Sequence, residues 1–245
     1  RQRQMCIRDR LLNKVSSENC LGLLPVENSI AGTVNEAYEE LINSGLEIFG
    51  EYIKKINHTL IGLSNSKFEE ITHVISHPQA LQQCSKFLQD SKLRITPVFD
   101  TAGSVFEILE TKDINTAAIA GEHFKNDERF KILKENISNH QENFTRFLLI
   151  GNEKLESNKE NNKYSSVLIS DDKPGSLLKA LNIFSDLNIN LTKLESRPIL
   201  GRPWEYKFYI DYELQNVKTQ TELIDGIKKV SKEFIILGHY PKANP

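Results

Sequence analysis

The first 150 residues alternate between short apolar runs and stretches with the spacing of amphipathic helices. Apolar runs typical of strands lie at 21–26, 73–76, 94–99, 116–121 and 144–150. Helical spacing is found at 34–42, 78–88 and near 102–110. This alternation predicts an α/β domain with a parallel-rich sheet covered by helices.

The pattern changes after residue 163. Strand-like runs follow at 164–170, 190–196, 205–213 and 234–240, with helical spacing at 176–187 and 221–230. The order βαββαβ is typical of ferredoxin-like domains. Residues 151–163 hold a single apolar side chain, Leu155, and cannot bury enough surface to offset their ordering entropy, so they are predicted to be a linker.

Composition narrows the class of protein. The chain has 245 residues, of which 39% are hydrophobic, enough for one or two globular domains. With 31 basic and 33 acidic residues it has no basic surplus, which argues against a nucleic-acid partner. No apolar run approaches the roughly 20 residues that cross a bilayer, and the start lacks the apolar core of a secretory signal. We therefore expect a cytoplasmic protein with no membrane partner.

Metal and cofactor sites have no support in the sequence. The three Cys and six His residues are dispersed, without the close spacing of metal ligands. Glycine-rich nucleotide-binding motifs are also absent. We expect neither a metal nor a cofactor.

Small polar residues follow three of the predicted strands, each time just before a predicted helix, at 26–29, 76–79 and 100–104. Such junctions present main-chain N–H groups at the carboxyl edge of a sheet, where α/β folds bind anions. Together they favour a cleft that binds carboxylates. Taken singly, Ser29, Ser76 and Asp100 are more typical of ordinary helix caps.

The strand at 143–147 places Thr145 and Phe147 on one face and Arg146 on the other. Threonine is a common strand residue and arginine usually forms structural ion pairs, so alternation alone assigns no function.

Taken together, these segments resemble the successive motifs of prephenate dehydratases in order and spacing. The motifs are Pro25–Ser29 with Gly32, Ser76–Leu81 with Gln83 and Cys84, Asp100–Ser104, and Asn143–Phe147. Lys173–Leu177, Asn190–Thr192 and Glu195–Pro198 resemble the ACT regulatory domain of the same enzymes. The resemblance runs from about residue 19 to residue 240. It implies a periplasmic-binding-protein-like catalytic domain of two subdomains at 19–150 and a ferredoxin-like ACT domain at 164–243.

The resemblance implies a cofactor-free lyase that converts prephenate to phenylpyruvate, water and carbon dioxide in L-phenylalanine biosynthesis. Thr145 would assist the departure of hydroxide. The implied substrate contacts are Asn28, Ser76, Gln83, Thr101, Arg146 and Phe147, although Arg146 and Phe147 could equally be structural. The implied contacts of the effector, L-phenylalanine, are Gly175, Leu178, Asn190, Leu191, Glu195 and Ser196. The family also implies a homodimer or homotetramer.

The start of the chain departs from the family pattern. Members normally begin with a strand and a glycine-rich turn, whereas residues 1–10 hold four of the nine Arg residues and look like a translated sequencing adapter. We expect residues 1–18 to be non-native or unassigned and the catalytic domain to be truncated at its N-terminus. Two alternatives remain open, an arogenate dehydratase and a non-catalytic phenylalanine sensor; the intact motifs argue against the sensor.

Overall fold

The structure is a computed structural model that describes residues 7–152 and 160–243. Its helices are α1 (Ile7–Glu18), α2 (Asn35–Ser44), α3 (Pro78–Gln83), α4 (Ser85–Ser91), α5 (Gly103–Thr111), α6 (Ser176–Asp186) and α7 (Val217–Val230). Its strands are β1 (Gly22–Asn28), β2 (Gly32–Thr33), β3 (Glu47–Lys55), β4 (His58–Leu63), β5 (His73–Ser76), β6 (Arg94–Pro97), β7 (Thr116–Gly121), β8 (Phe130–Lys134), β9 (Phe144–Gly151), β10 (Lys163–Ser170), β11 (Leu191–Ile199), β12 (Arg202–Glu213) and β13 (Ser231–Tyr240).

The chain divides into two compact units. Unit 1 contains Arg1–Lys54 and Arg146–Pro245, and unit 2 contains Lys55–Thr145. The sequence predicted a division at 151–163, between a first α/β segment at 19–150 and the βαββαβ segment. In the structure, both ends of the first α/β segment belong to unit 1. The domain limits drawn from the sequence stay a prediction.

Unit 1 is built on one eight-stranded sheet in the order β11-β12-β10-β13-β3-β9-β1-β2. Its first four strands, with α6 and α7, form a βαββαβ segment whose strands are all antiparallel neighbours, which confirms the predicted ferredoxin-like order. Strand β13 continues the sheet by pairing parallel with β3 through Gly238 and Ile48. The βαββαβ segment and the first α/β segment therefore share one sheet.

One hydrophobic core of unit 1 contains residues from both segments. Leu24, Leu41 and Leu148 from the first segment cluster with Val167 and Leu237 from the βαββαβ segment. A second core lies between the sheet and α6 and α7; its buried residues include Phe184, Ile210, Tyr212, Leu223 and Ile227. These apolar contacts stabilise the two segments as one body.

Helix α1 was not expected from the sequence and lies within the range left unassigned at 1–18. Its Leu12 and Val15 are buried in the first core of unit 1. Residues 1–6 of that range, and residues 153–159 of the predicted linker, lie outside the described residues. The flanks of the linker are strand ends, since Gly151 closes β9 and Lys163 opens β10.

Unit 2 is a five-stranded sheet in the order β6-β5-β7-β4-β8 with helices on both faces. Strand β5 runs parallel to β6 and β7, whereas β4 is antiparallel to β7 and β8. The expectation of a parallel-rich sheet therefore holds for only half of the pairings. Adjacent residues such as Ala117 and Ala118 enter separate cores on opposite faces, which explains the continuous apolar runs.

Two other expectations differ in detail. The single helix expected at 78–88 is two helices, because Cys84 leaves the helical conformation at φ −114° and ψ 15°. The first junction does not lead straight into a helix, because the short strand β2 forms a hairpin with β1 before α2 begins. Strands β3, β4 and β8 were also not expected.

Among the helices of the described residues, none is both long and apolar enough to cross a bilayer.

Candidate active site and effector site

Strands β5 and β6 bring two of the three polar junctions to one edge of unit 2. Ser76 pairs with Pro97, and the Val98 N–H donates to the Ser76 carbonyl at 2.9 Å. Because the two strands are parallel, the residues after Ser76 and those after Pro97 leave the sheet at the same edge. This edge is where the sequence predicted a ligand site.

Ser76 supports the sheet and is not a helix cap. Its side chain is buried, and its hydroxyl donates to the Ile119 carbonyl of β7 at 2.6 Å. The cap of α3 is His77, whose Nδ1 accepts from the Gln79 N–H at 3.2 Å. The Ser76 hydroxyl thus fixes the strand that carries the junction.

At the second of these junctions, Asp100 caps helix α5. Its two carboxylate oxygens accept from the Ala102 N–H at 3.1 Å and the Gly103 N–H at 2.9 Å. A Cβ on Gly103 would lie 3.0 Å from the carboxylate, so glycine permits this approach. These two N–H groups are therefore bonded within the chain, and Thr101, between Asp100 and Ala102, is half-buried.

Gln83 is held by two donors. Its Oε1 accepts from Asn143 Nδ2 at 3.0 Å and lies 2.7 Å from His58 Nε2. Burial lowers the pKa of His58, which favours the neutral ring. With its proton on Nε2, the ring donates to Gln83 Oε1. The amide plane of Gln83 is therefore fixed, and its NH2 group points in a defined direction.

Asn143 also anchors the start of β9. Its side chain is buried, and its carbonyl accepts from the Ile56 N–H at 2.7 Å. Thr145, which is half-buried, follows two residues later. Among the predicted residues of unit 2, Gln83 and Thr145 are thus linked through Asn143, a residue that sequence reasoning quoted in a motif but gave no role.

Arg146 belongs to unit 1. Its Nε donates to Glu51 Oε2 at 2.7 Å, its Nη1 to Asp211 Oδ2 at 2.6 Å and its Nη2 to the Tyr240 hydroxyl at 3.0 Å. These contacts hold the guanidinium within unit 1, and the substrate contact expected of Arg146 stays a prediction. Phe147 is half-buried, with its ring 6.4 Å from that of Tyr52.

Asn28 closes the hairpin between β1 and β2 in unit 1. Its Oδ1 accepts from the Ile30 N–H at 3.0 Å and the Ala31 N–H at 2.9 Å, an Asx turn. Gly32 completes the turn with φ +84°. The backbone geometry therefore orients the Asn28 amide.

A cavity of about 450 Å³ opens at the start of α6, lined by Gly175 and Leu178 among the predicted effector residues. Asp171, Lys173 and Trp204 also line it. Gly175 adopts φ +77°, a left-handed conformation that favours glycine. A Cβ at this position would have no atom within 4 Å, so the glycine is not required by close packing.

The other predicted effector residues lie elsewhere in the described chain. Asn190 and Leu191 line a second cavity of about 350 Å³ at the far end of α6. Glu195 and Ser196 lie in β11, where the Glu195 carboxylate contacts Lys193 at 3.1 Å and Arg197. The aromatic lining of the first cavity, Trp204 and Tyr206, was missed, although exposed aromatic residues in an alternating strand were a signal for it.

The two sheets, the strand-to-helix junctions and the βαββαβ segment define a mixed α/β protein of the periplasmic-binding-protein-like type. The family model for prephenate dehydratase matches residues 5–155. The chain belongs to the prephenate dehydratase family.

Curated relatives agree with the family assignment. A prephenate dehydratase of Methanocaldococcus jannaschii is 38% identical over 226 residues, which cover 91% of this chain and 82% of the relative. The chloroplastic arogenate dehydratase/prephenate dehydratase 1 of Arabidopsis thaliana is 34% identical over 235 residues, covering 89% of this chain and 60% of the relative.

Solved structures share the fold. A protein described as GqqA, a novel type of quorum quenching acylase, has a TM-score of 0.85 at 26% identity, covering 96% of this chain and 87% of its own. The prephenate dehydratase of Staphylococcus aureus subsp. aureus Mu50 has a TM-score of 0.80 at 25% identity, covering 95% of this chain and 87% of its own.

Proposed function

We propose that this protein catalyses the decarboxylating dehydration of prephenate to phenylpyruvate, with Thr145 assisting the departure of the ring hydroxyl. The family assignment carries the proposal, and the anchored start of β9 supports it. Asn143 fixes the backbone two residues before Thr145, so the hydroxyl is presented from a rigid strand.

The chemistry asks little of the protein beyond binding and orientation. The ring–carboxylate bond breaks to release carbon dioxide, its electron pair enters the ring, and the ring C–O bond breaks as the hydroxyl leaves with a proton as water. Aromatisation supplies the driving force. A threonine hydroxyl is a weak acid at neutral pH, so Thr145 acts as a hydrogen-bond donor or proton relay to the leaving oxygen.

The polar side chains of the junctions would bind the substrate. Gln83 offers the NH2 group of an amide whose oxygen is held by His58 and Asn143, and Thr101 offers a hydroxyl beside the Asp100 cap. Motif resemblance adds Asn28, Ser76 and Phe147 to this proposed set. Ser76 would act by fixing its strand, since its hydroxyl is bonded to Ile119.

Turnover by the purified 245-residue chain tests the proposal. We expect release of phenylpyruvate from prephenate, measured by the absorbance of phenylpyruvate. The same protein is assayed with arogenate by measuring the release of phenylalanine. Faster turnover of arogenate would identify an arogenate dehydratase. Phenylalanine binding without turnover of either substrate would contradict the enzyme and favour the sensor.

For regulation, we propose that L-phenylalanine binds in the cavity at the start of α6. The lining combines opposite charges, from Asp171 and Lys173, with the apolar Leu178 and Trp204. A zwitterionic amino acid with an aromatic side chain matches both parts of this lining, and a cavity of about 450 Å³ accommodates it.

Leu178→Ala is expected to weaken phenylalanine binding by about tenfold, the effect of losing roughly 1.4 kcal/mol of apolar contact. Isothermal titration measures the dissociation constant. Leu23→Ala is the matched control, because Leu23 is an exposed leucine of β1 that lies outside this cavity and outside the βαββαβ segment. Equal affinities of the two variants would contradict the proposed effector site.

We further propose a homodimer or homotetramer in the cytoplasm. Large exposed apolar side chains on the βαββαβ segment support subunit pairing there, namely Leu178, Leu194, Leu200, Trp204 and Tyr206.

A further inference from the structure

A buried cluster of four charged side chains lies inside unit 1, and we call it the ionic cluster. It consists of Arg146, Lys163, Glu51 and Asp211. Arg146 bonds both carboxylates, as described above, and Lys163 Nζ lies 2.9 Å from Glu51 Oε2. The two cations and two carboxylates balance each other, and at the edge of the cluster the partly exposed Glu27, which pairs with Lys193, lies 3.5 Å from Arg146 Nη1.

Two hydroxyls complete the hydrogen bonding of the cluster. The Ser165 hydroxyl lies 2.6 Å from Asp211 Oδ1 and 2.5 Å from the Tyr240 hydroxyl, which in turn accepts from Arg146. Burial would lower the pKa of Arg146, but the charge of Asp211 and its neighbours raises it above the usual range. The guanidinium therefore remains charged and is fixed from three directions.

The cluster is almost wholly removed from solvent. The side chain of Glu51 is fully buried, and those of Asp211 and Arg146 are 2% and 11% exposed. Such a cluster is sensitive to geometry, because displacement of one partner leaves a buried charge uncompensated.

Both segments of unit 1 contribute to the cluster. Glu51 and Arg146 come from β3 and β9 of the first segment, whereas Lys163, Asp211 and Tyr240 come from three strands of the βαββαβ segment. Arg146 is also the residue that directly follows Thr145 in β9. A shift of β12 or β13 would move the groups that hold the guanidinium, one residue away from the proposed catalytic hydroxyl.

We infer that Arg146 is a positioning residue through which the βαββαβ segment controls the placement of Thr145. The inference rests on the proposed function and adds the route by which effector binding alters turnover. It assigns the Arg146 guanidinium to the ionic cluster and not to the substrate. An angstrom-scale shift of Thr145 is enough to lower the rate strongly, because the reaction depends on orientation.

The test uses two variants in the βαββαβ segment of the full chain. Asp211→Asn removes the carboxylate that holds Nη1, and Tyr240→Phe removes only a hydroxyl. Glu213→Gln is the control, because Glu213 lies in the same strand and pairs with Lys242 outside the cluster. For both test variants we expect kcat to fall at least tenfold while KM for prephenate and the Kd of phenylalanine stay within about twofold.

We also expect both test variants to lose most of their inhibition by phenylalanine although they still bind it, and Glu213→Gln to behave as wild type. Wild-type kcat and inhibition in Tyr240→Phe would overturn the inference, as would a rise in KM at unchanged kcat. If Asp211→Asn fails to fold, Tyr240→Phe decides.

Failure of the proposed function can be told apart from failure of the inference. If the wild-type chain turns over neither substrate, the proposed function fails, and amide hydrogen exchange in β9 then tests the inference. We expect phenylalanine to change exchange at 145–149 in the wild type and Glu213→Gln but not in Tyr240→Phe. An identical response in all three proteins would overturn the inference.

Discussion

Thr145→Ala is expected to lower kcat for phenylpyruvate formation by at least about a hundredfold and to leave KM for prephenate within about threefold. The hydroxyl would act when the ring C–O bond breaks, so its loss affects the transition state far more than binding. Steady-state kinetics at saturating prephenate measure the effect, and circular dichroism checks that the fold is intact.

Two controls accompany this variant. Thr145→Ser retains a hydroxyl at the same carbon and should keep most of the activity. Thr221→Ala removes an exposed threonine hydroxyl of α7 and should behave as wild type. A kcat for Thr145→Ala within twofold of wild type would remove Thr145 from the mechanism.

Arg146→Met is expected to destabilise the protein by about 3–5 kcal/mol, because Glu51 and Asp211 would share one remaining cation, Lys163, in a buried site. Urea denaturation of the variant and the wild type measures the free energy of unfolding. The double variant Arg146→Met/Asp211→Asn should recover part of the loss, because it removes a carboxylate together with the cation.

Arg129→Met provides the matched control for stability. Arg129 forms a similar ion pair with Asp127, at 2.6 Å, but on the surface, where such pairs contribute little. We expect its unfolding curve to superimpose on that of the wild type. An equally small effect of Arg146→Met would show that the ionic cluster does not stabilise unit 1.

The apolar runs of the sequence were good guides to the buried strands. The run at 116–121 is β7, whose residues are nearly all buried, and the helix expected at 34–42 ends at Gly45, which has φ +70°. Strand β3 was missed because Glu51 and three other charged residues interrupt its apolar pattern. The side chain of Glu51 is nevertheless buried, because Lys163 neutralises its charge. Lys163 lies 112 residues away in the sequence, so no local pattern could indicate this partner.

In the candidate site too, the sequence identified single residues but not their distant partners. Motif resemblance identified Gln83 and Thr145 as functional candidates, but not the hydrogen bond that links Gln83 to Asn143 across 60 residues. Alternation along β9 did predict that Arg146 points away from the face of Thr145, and left its partners open. Those partners come from β3, β12 and β13, which tertiary structure alone brings together.

The pairing of β13 with β3 determines whether the two segments of unit 1 can be separated. A Cβ on Gly238 would lie 2.3 Å from the Ile48 carbonyl oxygen, so the two strands can approach only where the side chain is a hydrogen atom. Cutting the chain between residues 151 and 163 to isolate the first α/β segment would expose β3 as an edge strand and strip Glu51 and Arg146 of their partners. The two segments therefore form one stability unit, and an enzyme without the proposed phenylalanine control is better obtained by substitution in the cavity at the start of α6 than by truncation.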